Sequence, residues 1–184
     1  MPSIEVFSYL NKNPISVDTD PRPVTPYGIA KIAAEKFFDA YFCNSSFFST
    51  TIRLCSVASN GEHPSQLMSQ LIASAFKNKQ IRLNTGHSTN LIYIDDAVDL
   101  IISAALMAIE REYILTTEGV QNHIIASEFE RISGLKLNAE YIDFMPGISD
   151  RCFISDIPKL NVEWARKNPL EEMINKLISH INYH

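Results

Sequence analysis

Hydrophobic positions recur along the chain with two different periods, and these periods divide it into helices and strands. Apolar residues three or four positions apart predict helices at 26–43, 63–78, 95–109 and 169–181, and a shorter one capped by Ser127 that runs to Ile132. Short β-prone runs predict strands at 3–8, 48–55, 80–83, 90–94, 113–116 and 135–141. Helices and strands follow one another along the whole chain.

The first long helix opens with a well-defined start signal. Thr25 suits the N-cap, and Pro26 suits the first helical position, where no N–H is needed. Tyr27 and Lys31 are four residues apart, so both lie on one face of this helix. An ammonium one turn from a phenol favours the phenolate, so the pair is a candidate for acid–base chemistry. The alternative interpretation is a half-buried tyrosine beside a surface lysine.

The same helix is apolar on more than one side. One apolar stripe consists of Ile29, Ala33, Phe37, Ala40 and Tyr41. Phe38 and Phe42 extend the apolar surface to a second side of the helix. Two explanations stay open at this point. The aromatic side chains either pack into the core of the chain or form an interface with a second copy.

Composition narrows the classes of function. The chain has 184 residues, 46% of them hydrophobic. Its net charge of −5 argues against a nucleic-acid-binding protein, which would carry an excess of basic residues. No apolar run is long enough to span a membrane, and Cys43, Cys55 and Cys152 lie far apart, as reduced thiols of a cytoplasmic protein would. The five histidines show no metal-binding spacing, so no metal site is expected.

The glycines are too far apart to form a phosphate-binding loop. Of the six, the closest pair is Gly134 and Gly147, thirteen residues apart. A dinucleotide fingerprint needs glycines two and three residues apart, and a P-loop needs a Gly-Lys pair. The sequence therefore predicts that this chain carries no glycine-rich cofactor loop.

The stretch Thr-Pro-Tyr-Gly-Ile-Ala-Lys-Ile-Ala-Ala-Glu at 25–35 resembles a motif of the extended short-chain dehydrogenase/reductase superfamily, specifically the NAD-dependent epimerase/dehydratases of nucleotide sugars. The resemblance implies NAD as cofactor, Tyr27 as the catalytic base and Lys31 as the residue that holds the cofactor ribose. Ser3, followed by Val6 and Phe7, takes the place of the family's catalytic serine. The alternative for Ser3 is an incidental serine at a frayed N-terminus.

Candidate substrate residues follow from the same resemblance. Arg53, Leu54 and Val57 match the segment Arg-Leu-x-Asn-Val-Tyr-Gly-Pro, with Ser56 in place of the asparagine. Asn90 stands where an arginine normally pairs with the substrate diphosphate, and Arg82 is a possible substitute. Arg151 takes the place of a basic residue that contacts the nucleotide, with a plain surface salt bridge as the alternative.

The resemblance extends over all 184 residues but covers only the second half of a family member. The resemblance therefore implies an α/β fold, as a single C-terminal portion of the family's structure. A partial Rossmann-like remnant, with two or three parallel strands and their helices, is expected at about 1–60 and 90–110. A small mixed α/β substrate lobe is expected to take up most of about 61–89 and 111–184. The chain is either a nucleotide-sugar enzyme that lacks its cofactor half, and is inactive alone, or a non-catalytic remnant that binds a partner. The expected partners are a nucleotide sugar, a second copy bound through the 26–43 helix, or a chain that supplies the missing half.

Overall fold

The structure is a computed structural model that describes residues 3–44, 49–60, 63–107, 112–142, 151–160 and 169–181. Its helices are α1 Pro26–Phe42, α2 Leu67–Lys77, α3 Ile94–Met107, α4 Asn122–Ser133 and α5 Pro169–Ile181. Its strands are β1 Thr51–Leu54, β2 Ser56–Ala58, β3 Ile81–Asn84, β4 Ser88–Thr89, β5 Leu91–Tyr93, β6 Glu112–Leu115, β7 Val120–Gln121 and β8 Ala139–Ile142. Two short 3-10 helices span Ile4–Val6 and Ile157–Leu160. The α/β class is confirmed.

The chain forms two compact units that interleave along the sequence. The first comprises Met1–Cys55, Asp95–Glu118 and Ser149–Trp164, and the second comprises Ser56–Ile94, Gly119–Ile148 and Ala165–His184.

In the first unit, β1 and β6 pair in parallel, with Ile52 opposite Tyr113. Ser3 adds an isolated parallel bridge to Leu54 at the end of β1. Parallel strands that are buried on both faces have continuous apolar sequences. β6 fits this pattern because Tyr113, Ile114 and Leu115 are all buried.

A buried carboxylate fastens the segment at 151–160 to β6. The Ile114 N–H donates to Asp156 Oδ2 at 2.8 Å, and the Asp156 N–H donates back to the Ile114 carbonyl at 2.8 Å. Lys159 Nζ lies 2.9 Å from Asp156 Oδ1. These contacts satisfy backbone groups at the edge of β6 that would otherwise be unpaired.

Among its described residues, the second unit contains three short strand pairs and a continuous apolar core. β2 pairs with β5 and β3 with β8 in parallel, whereas β4 and β7 are antiparallel. Buried side chains from its helices and strands form the core: Ala58, Met68, Leu71, Ile81, Leu83, Tyr93, Ile125, Ala126, Phe129, Met173, Ile174 and Leu177.

Two sequence-based expectations are wrong in their local structure. The segment at 3–8 is not a strand beyond the bridge at Ser3, because the Ser3 hydroxyl accepts from the Glu5 N–H at 3.2 Å and starts a 3-10 helix. α4 begins at Asn122 rather than after Ser127, and the Ser127 hydroxyl donates to the Ile124 carbonyl inside the helix. At position 3 the serine side chain bonds to nearby backbone, which competes with the expected strand, and at position 127 the hydroxyl bonds to a helical carbonyl instead of capping the helix.

Candidate functional site

The start of α1 is built as its sequence predicts. The Thr25 hydroxyl accepts from the Gly28 N–H at 3.0 Å, and Pro26 fills the first turn. Tyr27 and Lys31 lie on one face, and the Lys31 ammonium is 5.0 Å from the centre of the Tyr27 ring. Tyr27 exposes 55% of its surface. The phenol is therefore accessible to a ligand and has a cation beside its ring.

The 3-10 turn that follows Ser3 lies directly against the first turn of α1. We call residues Ser3–Phe7 the Ser3 turn. A Cβ added at Gly28 would overlap the Glu5 carbonyl and would come within 3.0 Å of the Pro23 side chain. Only glycine permits this close approach, so the packing brings the Ser3 turn beside the helix that carries Tyr27 and Lys31.

Arg151 binds the same turn. Its Nη1 donates to the carbonyls of Phe7 at 3.1 Å and Ile4 at 3.4 Å, and its Nη2 pairs with Glu5 Oε1 at 2.9 Å. The guanidinium also lies 5.8 Å from the Phe153 ring centre. Arg151 thus holds the Ser3 turn through the planar, multidentate contacts typical of arginine. Its contact with a nucleotide stays a prediction.

Ser56 and Asn90, the two substrate candidates of the second unit, are adjacent. The Ser56 N–H donates to the Asn90 carbonyl at 3.2 Å, next to the β2–β5 pair in which Ser56 lies opposite Leu91. The side-chain atoms of Asn90 lie 3.6 Å from the position that a Cβ would occupy at Gly119. The structure therefore brings these two residues together on neighbouring backbone segments.

Arg82 lies at a cavity of about 710 Å³ in the second unit. Lys77 and Lys79 also line it, and its apolar lining includes Ile72 and Ile81. Arg82 Nε pairs with Glu140 Oε2 at 2.9 Å, directly across the β3–β8 register. The cavity combines cationic and apolar groups, the composition that a phosphate-bearing ligand with a base needs.

A buried ion cluster on the inner side of α1 was not foreseen from the sequence. Arg53 Nη2 lies 2.9 Å from Glu35 Oε2, and both side chains are almost completely buried. Arg53 Nη1 also lies 2.8 Å from Glu112 Oε2. The two groups form an ion pair, but the angles at this contact are not those of a hydrogen bond. Burial disfavours the Arg53 cation, but the hydrogen bond and charge of Glu35, followed by those of Glu112, raise its pKa.

The described part of the chain offers neither a metal site nor a membrane segment. In those ranges, no group of three or more His, Cys, Asp or Glu side chains could hold a metal ion. None of the helices described there is long and apolar enough to cross a bilayer.

Comparison with known proteins identifies a family. A model described as the NAD dependent epimerase/dehydratase family matches residues 2–113, which include Ser3, Tyr27, Lys31, Ser56 and Asn90. No curated protein matches the chain.

Solved structures with the same fold are numerous. MoeE5, solved with UDP-glucuronic acid and NAD, has a TM-score of 0.82 and 19% identity, and the match covers 99% of this chain and 63% of that one. A dTDP-glucose 4,6-dehydratase from Bacillus anthracis strain Ames, solved with NAD, has a TM-score of 0.79 and 16% identity, with coverage of 97% and 60%. L-threonine dehydrogenase from Phytophthora infestans has a TM-score of 0.78 and 17% identity, with coverage of 99% and 64%.

These matches establish the fold and leave the substrate open. The chain spans less than two thirds of the length of each of these structures. One of the three is a dehydrogenase of an amino acid, so the fold alone does not specify a sugar nucleotide.

Proposed function

Because the chain belongs to the NAD dependent epimerase/dehydratase family, we propose that it is the substrate-side portion of an NAD-dependent enzyme acting on a nucleotide sugar. The observation that carries the proposal is the packing of the Ser3 turn against the first turn of α1 at Gly28. A serine, a tyrosine and a lysine on two touching segments are the groups needed to remove a proton from a sugar hydroxyl.

Each of the three residues has a distinct role. Tyr27 is the base that takes the hydroxyl proton, and the Lys31 ammonium lies beside its ring, 5.0 Å from the ring centre. The Ser3 hydroxyl orients the substrate oxygen. NAD, when bound, supplies the hydride acceptor, and Tyr27 and Lys31 would lie at its ribose.

NAD fits this chain only in part. Tyr27 and Lys31 present a hydroxyl and an ammonium, which suit a ribose. A pyrophosphate needs closely spaced glycines at the start of a helix, and the glycines in this sequence are at least thirteen residues apart. We therefore propose that groups outside these 184 residues make the pyrophosphate contacts.

Ser56, Asn90 and Arg151 are the substrate-binding candidates. Ser56 and Asn90 offer hydrogen bonds without charge, so they are weak ligands for a diphosphate. The cationic cavity with Arg82, Lys77 and Lys79 supports a phosphate contact at that place.

A second candidate function is a non-catalytic module that binds a partner protein. The wide exposed apolar surface of α1 favours it, since Ile29, Phe37, Phe38 and Tyr41 each expose more than half of their surface. The serine and asparagine at positions 56 and 90, where the family has asparagine and arginine, also favour it.

Co-expression with a polypeptide that carries a glycine-rich βαβ unit of this family tests the two functions against each other. With NAD and a panel of UDP- and dTDP-sugars, the enzyme proposal predicts turnover by the complex and none by the chain alone. Titration calorimetry of the chain alone should give an NAD dissociation constant no tighter than about 1 mM, or about 4 kcal/mol of binding free energy. A low-micromolar constant for the chain alone would contradict the proposed division of the cofactor site.

A further inference from the structure

α1 exposes most of its residues, polar and apolar alike. Its buried residues are Gly28 and Glu35, whereas Phe37, Phe38 and Tyr41 expose 66%, 55% and 71% of their surfaces. A helix that packed by hydrophobic burial alone would turn its aromatic residues inward. Specific contacts, rather than apolar area, therefore set the rotation of α1.

The first of these contacts is the pair of Glu35 with Arg53 on β1. Arg53 Nη2 lies 2.9 Å from Glu35 Oε2, and Nε donates to both carboxylate oxygens at 3.3 Å. Forked contacts of this kind are directional, so the carboxylate must meet the guanidinium in one orientation. A buried ion pair adds little net stability, and its best-attested use is to specify one arrangement over others.

The second contact is the close approach of Gly28 to the Glu5 carbonyl. Gly28 and Glu35 are seven residues apart, which is about 10 Å along a helix axis. The two contacts thus anchor α1 at two points, with Lys31 between them and Tyr27 directly beside the first.

We infer that the Glu35–Arg53 pair is a positioning device that sets the rotation and axial position of α1 against the Ser3 turn. Glu35 and Arg53 act through the helix, so they are positioning residues rather than catalytic ones. Lys31 lies one turn before Glu35 on this helix and both line one cavity of about 360 Å³, so a rotation of α1 would move both residues together. The consequence for Tyr27 and Lys31 rests on the proposed function, while the setting of the helix does not.

Amide NMR of the isolated chain tests the inference. Glu35→Gln keeps the shape of the side chain and removes its charge, and Glu35→Asp keeps the charge and shortens its reach by one methylene. Both should shift the backbone amide signals of Gly28 and Glu5, although the substitution lies about 10 Å away along the helix. Glu35 is the residue to vary because Arg53 itself lies 5.4 Å from the ring centre of Phe7, at the end of the Ser3 turn.

Lys36→Gln is the matched control. It breaks the exposed Lys36–Asp39 pair on the same helix, and it should leave the amide signals of Gly28 and Glu5 in place. A Glu35 variant that loses stability while those two signals stay unmoved would overturn the inference and leave the pair a local structural contact.

Gly28→Ala in the wild-type and Glu35→Asp backgrounds gives a second test. Each substitution lowers the folding equilibrium constant by some factor. If both contacts fix one rigid helix, the factor for the double variant is at least tenfold smaller than the product of the factors for the two single variants. Independent sites at this separation multiply to within about twofold. If Gly28→Ala does not fold, the amide signals of the Glu35 variants decide the question.

Failure of this inference is distinguishable from failure of the proposed function. In the co-expressed enzyme, Glu35→Asp should lower kcat several-fold with the KM for the sugar nucleotide unchanged. If no preparation turns over a nucleotide sugar, the proposed function fails, and the amide signals still decide whether Glu35 sets α1.

Discussion

The ammonium of Lys31 lies 5.0 Å from the centre of the Tyr27 ring, one helical turn away on α1. The ring is half exposed, and the helix that carries it is fixed at Gly28 beside the Ser3 turn. The pair is thus held on a rigid element and remains open to a ligand, which is the arrangement that a catalytic base needs.

Tyr27→Phe should therefore remove activity without loosening the fold. In the co-expressed enzyme we expect kcat to fall by about 10²–10⁴, because the ring stays and only the proton acceptor is lost. The free energy of unfolding of the isolated chain should change by less than about 0.5 kcal/mol, as for other exposed positions. Tyr41→Phe, on an exposed tyrosine of the same helix, is the control and should retain full turnover.

The three cysteines should differ in reactivity. Burial raises the pKa of the Cys55 thiol to about 11, whereas Cys43 and Cys152 are exposed. At pH 8 only about one Cys55 thiol in a thousand is then ionised, and the thiolate is the reactive form. A colorimetric thiol reagent should titrate two thiols in the native chain and three in guanidinium chloride. Three fast-reacting thiols in the native chain would contradict the burial of Cys55.

The same shift in pKa links Cys55 to stability. The ordinary value of 9.0 applies to the unfolded chain and the raised value to the folded one. The unfolded chain therefore loses its proton first, so the contribution of Cys55 to stability is complete below about pH 9 and is lost as the pH rises toward 11. Cys55→Ser should remove this part of the pH dependence in urea unfolding curves.

Local signals explain why α1 could be predicted and the Ser3 turn could not. The N-cap at Thr25, the proline at the first turn and the apolar period all favour the same helix, and its observed end at Phe42 is one residue from the predicted one. At the Ser3 turn, the sequence favours a strand, but the Ser3 hydroxyl accepts a hydrogen bond from the backbone N–H of Glu5, two residues further on. A single short side-chain contact decides the local structure there.

In the candidate site, too, some relationships could be predicted from the sequence and others could not. The shared face of Tyr27 and Lys31 follows from their spacing alone. The adjacency of Ser56 and Asn90 depends on the pairing of β2 with β5, and the contact of Glu35 with Arg53 depends on the packing of α1 on β1. A glutamate on the inner face of a helix and an arginine in a buried strand are the only sequence signal for that ion pair.

Asp156 should be a large contributor to stability. Its carboxylate accepts from the Ile114 N–H at 2.8 Å in a buried setting, so Asp156→Ala leaves that donor unsatisfied. We expect a loss of about 2–3 kcal/mol in the free energy of unfolding, measured with urea. Asp39→Ala removes an exposed carboxylate whose ion pair with Lys36 is worth less than about 1 kcal/mol. Equal losses for the two variants would show that Asp156 does not fasten its segment to β6.

The exposed side of α1 should make the isolated chain self-associate. Phe37, Phe38, Tyr41 and Phe42 form an aromatic cluster with two stacked and two edge-to-face ring pairs, and the first three expose more than half of their surfaces. An aromatic side chain has about 150–250 Å² of surface, so the exposed parts of these three leave a largely apolar patch of a few hundred Å². Patches of this size on soluble proteins mark interaction sites.

Light scattering should therefore find a dimer or a larger species at micromolar concentration. The combined variant Phe37→Ser and Tyr41→Ser should shift the chain to the 20.8 kDa monomer. Tyr141→Ser removes an exposed aromatic residue of β8 and should leave the association unchanged. If the wild-type chain is already monomeric across that range, α1 does not bind a second copy under these conditions. Under the proposed function, its apolar side would then bind the polypeptide that supplies the pyrophosphate contacts, and the co-expressed complex should protect Phe37 and Tyr41 from solvent where the chain alone does not.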